Sequence, residues 1–184
     1  MELRKTNIEG LVEIFPLIFP DERGIFFESY SEKKFKDLGL DLIFVQDNQS
    51  LSKKGVLRGL HFQLPPFAQG KLVKVSYGKA LDIAVDLRKS SATFGQYETF
   101  LLDADRHNLV YIPEGFAHGF ISLEDDTILQ YKCTNYYNKA SEGGIIWNDS
   151  TLNINWGDLN PIISEKDLIL PTLSELINSG KIFE

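Results

Sequence analysis

Short stretches in which apolar and polar residues alternate dominate this chain. In Ala80-Leu-Asp-Ile-Ala-Val-Asp-Leu-Arg88, Leu81, Ile83, Val85 and Leu87 fall on one face while Asp82, Asp86 and Arg88 fall on the other, the period of two that a strand imposes. Lys71-Leu-Val-Lys-Val-Ser-Tyr77 and Thr127-Ile-Leu-Gln-Tyr-Lys-Cys133 read the same way, and Gly95, Asp103-Ala-Asp105, Pro113-Glu-Gly115 and Glu124-Asp-Asp126 punctuate the sequence as turns. Many short strands without intervening helices predict an all-β antiparallel sandwich or barrel of the jelly-roll kind. Towards the N-terminus, extended segments flank the turn Pro20-Asp-Glu-Arg-Gly24, and Ile25-Phe-Phe-Glu-Ser-Tyr30 reads as a strand. Residues 41–46 look strand-like and lead into a polar cluster, Gln46-Asp-Asn-Gln-Ser50.

Only short helices are expected. Ser31 is placed to cap one that runs through Leu38, with Phe35 and Leu38 on one face and Gly39 ending it. Thr172-Leu-Ser-Glu175 after Pro171 has the form of a capping box, with Gly180 closing that helix. No repeat, low-complexity tract or linker interrupts the 184 residues, so a single domain spanning 1–184 is the expectation.

Composition narrows the function classes. The chain is 43% apolar and 12% aromatic, as ordinary globular proteins are. A net charge of −7 with dispersed Lys and Arg argues against nucleic-acid binding, although a local cluster of cations can still hold a small anion. Cys133 is the single cysteine, which excludes an internal disulfide and any multi-cysteine metal site. No apolar leader follows Met1 and no apolar run is long enough to span a membrane, so a cytoplasmic protein without membrane contact is expected.

Three polar groups sit among residues that belong in strands. Gly55-Val-Leu-Arg-Gly-Leu-His-Phe-Gln63 places Arg58, His61 and Gln63 within six positions. His61 and Gln63 share a face, and Arg58 joins them only if Gly59 marks a bulge that shifts the register. Lys71 shares a face with Val73 and Val75; either it points inward, where an ammonium needs an anionic partner, or it snorkels from the strand end. Tyr131 lies with Leu129 and Cys133, where a buried tyrosine with a hydrogen-bonded hydroxyl is a commoner explanation than a catalytic one. His118 follows a Pro-x-Gly turn that delivers it to a barrel mouth. A metal centre is disfavoured, because Gln63 stands two residues after His61 where a second His would be needed, and no carboxylate follows closely. His107, in an Asp-rich turn, reads as a surface residue, and Ser164-Glu-Lys-Asp167 as no more than a helix or turn cap.

Together, Asp21-Glu-Arg-Gly-Ile-Phe-Phe-Glu28, Phe44-Val-Gln-Asp-Asn48, Gly55-Val-Leu-Arg-Gly-Leu-His-Phe-Gln63, Ala68-Gln-Gly-Lys-Leu-Val-Lys-Val75, Asp82-Ile-Ala-Val-Asp-Leu-Arg88, Pro113-Glu-Gly-Phe-Ala-His-Gly-Phe120, Ile146-Trp-Asn-Asp149 and Ser164-Glu-Lys-Asp167 closely resemble the dTDP-4-dehydrorhamnose 3,5-epimerases. The resemblance implies a cupin-type jelly roll with short peripheral helices that works without metal or other cofactor. It implies a homodimer whose N-terminal strands help complete the partner's nucleotide site. The implied reaction inverts C3 and C5 of dTDP-4-dehydro-6-deoxy-D-glucose through an enolate. A paralogue acting at one carbon only, or on another nucleotide-linked 4-keto sugar, is the alternative. His61 would then be the base, Asp167 its charge partner, Tyr131 the acid on the opposite face, and Lys71 the cation beside the enolate oxygen. Arg23, Glu28, Gln46, Asp47, Asn48, Arg58, His118, Glu142 and Lys166 would hold the dTDP-sugar, with Tyr137 stacked on the base.

Overall fold

The computed structural model describes residues 1–184. Thirteen strands and three short helices follow in the order β1 (Glu2–Lys5), β2 (Val12–Phe15), β3 (Phe19–Asp21), β4 (Gly24–Phe26), α1 (Glu32–Asp37), β5 (Gln46–Ser52), β6 (Leu57–Gln63), β7 (Lys71–Tyr77), β8 (Lys79–Asp86), β9 (Tyr97–Asp103), β10 (Leu109–Ile112), β11 (Phe116–Ser122), β12 (Thr127–Cys133), β13 (Glu142–Gly144), α2 (Glu165–Leu168) and α3 (Leu173–Ser179). Two antiparallel sheets face each other, ordered β1-β2-β10-β7-β12-β5 and β13-β6-β11-β8-β9, while β3 and β4 form a separate hairpin. This is the expected all-β jelly roll with small peripheral helices.

Each sheet is covered on both sides, so the barrel has three apolar layers. Between the sheets lie Val73, Val75, Ala80, Ala84, Phe100, Leu102, Val110, Phe120 and Leu129. Outside the five-stranded sheet, Leu57, Leu60, Phe62, Ile83 and Val85 pack against Leu152, Trp156, Leu173, Leu176 and Phe183 of the C-terminal segment. Outside the six-stranded sheet, Ile14, Leu72, Leu109 and Tyr111 receive Phe35 of α1, with Leu40, Leu42 and Phe44 alongside. Tyr30 meets the Phe35 and Phe44 rings edge-on, at 5.0 and 5.2 Å between centroids.

This double coverage explains where the structure departs from the alternating pattern. The polar face of β8 does not meet water: Asp82 and Asp86 are both fully buried. Residues 41–45 are not a strand; they lie along the outer face of the sheet, and the polar run beginning at Gln46 is itself strand β5. That strand tolerates polar residues because one of its faces looks into a cavity, and it pairs along its whole length with β12. The strand expected over residues 25–30 shortens to β4. Helix α1 starts at Ser31 as expected, but the Ser31 side chain makes no capping bond. The Thr172 capping box forms with both reciprocal bonds, and Gly180 ends α3 in the left-handed conformation. Ser164 caps α2 through the Asp167 amide. His107 is half-buried against Phe27, with ring centroids 4.8 Å apart.

Asp86 ties β8 to the loop after it. Its carboxylate accepts from Arg88 Nε and Nη2 at 2.8 Å each, from Ser91 Oγ at 2.6 Å and from Thr93 Oγ1 at 2.7 Å. Burial pushes this carboxyl up, but the Arg88, Ser91 and Thr93 bonds outweigh that and bring it down to about 2. A folded value below the unfolded one stabilises above the unfolded pKa and is lost as pH falls through the folded value. The contribution is roughly 2 kcal/mol at neutral pH and disappears between about pH 4 and pH 2. Asp86→Asn is expected to lower the melting temperature at pH 7 and to narrow the gap from wild type in that acid window; calorimetry at both pH values checks it.

Candidate active site

The strands of both sheets splay around a cavity of about 640 Å³, within the range of small-molecule sites. Into it project Asn48 and Ser50 from β5, Arg58, His61 and Gln63 from β6, Lys71 from β7, His118 and Phe120 from β11, and Leu129 and Tyr131 from β12. Tyr137, Glu142, Lys166 and Asp167 close it from the connections and α2.

Gly59 sets the arrangement. On β11, His118 lies opposite His61 and Phe120 lies opposite Arg58, so β6 spends three steps where β11 spends two. The extra residue is a bulge, and it turns Arg58 onto the same side as His61. Gly59 has φ of 124°, and a Cβ there would meet Gly119 Cα at 2.5 Å and the His118 carbonyl at 2.8 Å. Only glycine lets the two backbones approach this closely. The bulged amide of Gly59 also donates to Asp167 Oδ2 at 3.4 Å.

Asp167 and His61 form a tight pair, with His61 Nε2 2.8 Å from Asp167 Oδ1. Asp167 is buried, and burial raises its carboxyl, but the bonds from His61, the Gly59 amide and Ser164 lower it overall. A carboxylate can only accept, so Nε2 carries the proton and Nδ1 is left as the basic nitrogen. His61 remains about one-third exposed, open to the cavity.

Strand parity places Lys71 inward. Cross-strand pairing aligns Leu129 with Val75, Tyr131 with Val73 and Cys133 with Lys71, so these side chains share the cavity side of the sheet. Lys71 Nζ lies 5.9 Å from the centre of the Tyr131 ring and donates to the His61 carbonyl at 3.4 Å. Burial lowers the Lys71 ammonium from the usual lysine value, and Cys133, Asp82 and Glu142 partly restore it. Tyr131 is pushed up by burial, with Cys133 adding to it, which keeps its phenol protonated at neutral pH.

At the mouth, Glu142 bridges two neighbours, accepting from Lys166 Nζ at 2.7 Å and from the Tyr137 hydroxyl at 3.1 Å. Burial raises the Glu142 carboxyl, and these two bonds more than reverse it. The exposed Tyr137 ring is free to take a flat partner. Gln63 is committed to structure: it donates to the carbonyls of Phe67 and Tyr136 at 2.6 and 3.1 Å and accepts from the Asn138 amide at 2.8 Å. No group of three or more His, Cys, Asp or Glu side chains gathers in an arrangement able to hold a metal ion.

Not every expected residue comes to this cavity. Gln46 lies one step beyond it, bonded to Asn48 and to the Tyr137 amide. Asp47 points to the other side of β5, where it pairs with Lys132. Arg23 pairs with Asp21 at the tip of the β3–β4 hairpin, and Glu28 pairs with Lys34, both away from the cavity. Asp82, which sequence reasoning left on a polar strand face, bonds to His118 at 2.7 Å inside the barrel. Its signal was the pair of alanines flanking it, Ala80 and Ala84, too small for a solvent-facing strand to require.

A jelly roll of the cupin type here gathers an imidazole–carboxylate pair, a phenol and a lysine around one cavity. Residues 5–175 match the family model described as dTDP-4-dehydrorhamnose 3,5-epimerase. The chain is 49% identical over 169 residues to the dTDP-4-dehydrorhamnose 3,5-epimerase of Shigella flexneri, covering 91% of this chain and 93% of that one. The dTDP-6-deoxy-D-glucose-3,5-epimerase of Legionella pneumophila, solved in complex with dTDP-4-keto-L-rhamnose, superposes with a TM-score of 0.93 at 42% identity, covering 100% of this chain and 97% of that one. A 3′-monoepimerase from Streptomyces bikiniensis, solved with dTDP-quinovose, gives 0.90 at 36% identity, over 96% of this chain and 90% of that one. This chain belongs to the dTDP-4-dehydrorhamnose 3,5-epimerase family.

Gly59→Ala is expected to destabilise the fold by roughly 2 kcal/mol, because the added Cβ collides with backbone rather than with a flexible side chain. Urea unfolding measures this directly. A loss comparable to that of an exposed glycine such as Gly157, whose Cβ would meet nothing within 4 Å, would contradict the close approach.

Proposed function

We propose that this protein inverts C3 and C5 of dTDP-4-dehydro-6-deoxy-D-glucose, giving dTDP-4-dehydro-L-rhamnose, by proton transfer through an enolate. The observation that carries the reading is the Asp167–His61 pair facing the same cavity as Tyr131 and Lys71. Membership of the family and the Legionella complex support the substrate class.

In a 4-keto sugar, C3 and C5 both flank the carbonyl, so one acidified proton sits on each. His61 Nδ1 removes it, and the electron pair moves into the C4 oxygen. Asp167 holds the tautomer and stabilises the imidazolium that forms. A base facing a carbon acid on the order of ten pK units weaker meets a cost of roughly 14 kcal/mol. Lys71 lowers that cost by standing as a fixed cation where charge develops on oxygen. Tyr131 then gives a proton to the opposite face of the same carbon, which inverts it; the phenolate regains a proton from solvent and the His61 imidazolium releases one to it, so that the pair is reset for the second carbon.

Arg58, Asn48, His118, Glu142 and Lys166 are assigned to the sugar and diphosphate. Guanidinium and ammonium groups give charge-assisted bonds to phosphate even in an acidic protein. Tyr137 offers its exposed ring to thymine. Gln46 belongs to the same reading as a support at the rim, bonded to Asn48, whereas Asp47 faces the other side of β5 and pairs with Lys132. Arg23 and Glu28 serve the site of a second copy. Leu17, Phe19, Ile25 and Phe26 are all about half-exposed or more on and beside the β3–β4 hairpin, an apolar surface suited to a homodimer.

His61→Ala is expected to abolish proton exchange at both carbons, while Tyr131→Phe lowers turnover at least tenfold yet retains exchange, since abstraction needs only the base. Proton NMR in deuterated water follows both variants; near-native exchange in His61→Ala would overturn the assignment of the base. Phe26→Asp is expected to shift sedimentation from dimer towards monomer, and an unchanged, monomeric wild type would sink the homodimer.

A further inference from the structure

A chain of hydrogen bonds runs along the wall of the cavity and ends on Cys133, a residue the proton transfers do not use. The Tyr137 amide donates to Gln46 Oε1 at 3.0 Å, Gln46 Nε2 donates to Asn48 Oδ1 at 3.0 Å, and Asn48 Nδ2 donates to Cys133 Sγ at 3.5 Å. The pairing of β5 with β12 makes this possible. Gln46 lies directly opposite Cys133 and Asn48 opposite Tyr131, so Asn48 and Cys133 are diagonal neighbours on one face of the sheet.

The direction of the chain is fixed at one end. A backbone amide can only donate, so the Gln46 carbonyl must face Tyr137. The Gln46 NH2 group then faces Asn48, which turns the Asn48 carbonyl to Gln46 and its NH2 group to Cys133. Each orientation follows from the one before it, and the last needs an acceptor. Cys133 supplies one. Its thiol is fully buried, and burial pushes it up, with Lys71 and the Asn48 bond acting the other way. It therefore stays a neutral thiol at neutral pH, and its sulfur lone pairs accept. An aliphatic side chain would fill the same space in the sheet but leave the amide hydrogen without a partner.

We propose that Cys133 is a positioning residue: its sulfur, at the end of the chain through Gln46, locks the Asn48 amide so that the second Nδ2 hydrogen is held out to an oxygen of the diphosphate. The proposal rests on the reading of the cavity as a dTDP-sugar site. A diphosphate oxygen only accepts, so Asn48 serves it through nitrogen, and a rotated amide would set its carbonyl oxygen against the anion. The same chain ties Asn48 to the backbone of Tyr137, whose ring is assigned to the base. Two contacts to one ligand are thereby held in place before it binds, which lowers the ordering cost of binding.

Calorimetric titration with dTDP reads the lock. Cys133→Ala removes the acceptor and is expected to weaken dTDP about fivefold, the worth of one hydrogen bond. Cys133→Ser keeps an acceptor and should recover affinity to within about twofold of wild type. In an Asn48→Ala background, Cys133→Ala should cost nothing further, because a residue that acts through Asn48 has no effect once Asn48 is gone. Unchanged affinity in Cys133→Ala would overturn the proposal. So would equal losses in the serine and alanine variants, which make Cys133 a packing residue. A loss that persists in the Asn48→Ala background also overturns it, by assigning the effect to the other cross-strand neighbour, Lys71. Should Cys133→Ala not fold, 1H–15N NMR decides: the Asn48 side-chain NH2 signals, assigned with Asn48→Ala, are expected to shift in Cys133→Ser, and signals unmoved by that exchange of sulfur for oxygen contradict the bond. If wild type binds no dTDP, the dTDP-sugar reading fails, whereas the NH2 signals still report on the lock.

Discussion

The pairing of β6 with β11 is the constraint on which the cavity depends. It sets His61 opposite His118, and its bulge at Gly59 turns Arg58 to the same side. The same bulge presents an amide to Asp167, and α2, capped by Ser164, brings that carboxylate to His61. One backbone irregularity therefore organises an imidazole, its carboxylate partner and a guanidinium. A regular strand in its place would send Arg58 to the outer face, against the C-terminal apolar layer.

Both sheets are covered on their outer faces, and that frees the interior for polar groups. The barrel's apolar stacking lies between Val73, Val75, Phe100, Phe120 and Leu129, while its open end collects Lys71, Tyr131 and the two histidines. Burial perturbs several of the groups that face this cavity, as it also perturbs Tyr111 and Asp86 elsewhere in the fold. Lys71 is driven down and Tyr131 up by desolvation, and Asp167 is brought down only because its hydrogen bonds outweigh burial. Shifts of this kind, arising from desolvation together with specific partners, are characteristic of working sites.

Much of this was legible in the sequence, for identifiable reasons. Alternation located β7, β8 and β12 almost to the residue, because each buries a regular apolar face. The same parity grouped Lys71 with Val73 and Val75 and Tyr131 with Leu129 and Cys133, but left open whether Lys71 pointed inward or out from the strand end. Asp82 escaped notice because alternation reports which faces differ, not whether the second face is also buried. The polar strand β5 was hidden for the converse reason: a cavity wall needs no apolar pattern. The bulge was only a conditional reading, since a glycine in a strand permits a register shift without requiring it. Arg23, Glu28 and Asp47 lie off this cavity in the isolated chain, and nothing in their local sequence reports a distance to it.

The central claim is that one cavity, built from a single imidazole base and a phenol acid, activates both carbons beside a ketone. Proton NMR of dTDP-4-dehydro-6-deoxy-D-glucose with the wild-type protein in deuterated water addresses it most directly. The account predicts that the C3 and C5 proton signals both disappear as the product forms. Retention of either signal at full turnover, or of both with folded protein present, would contradict it.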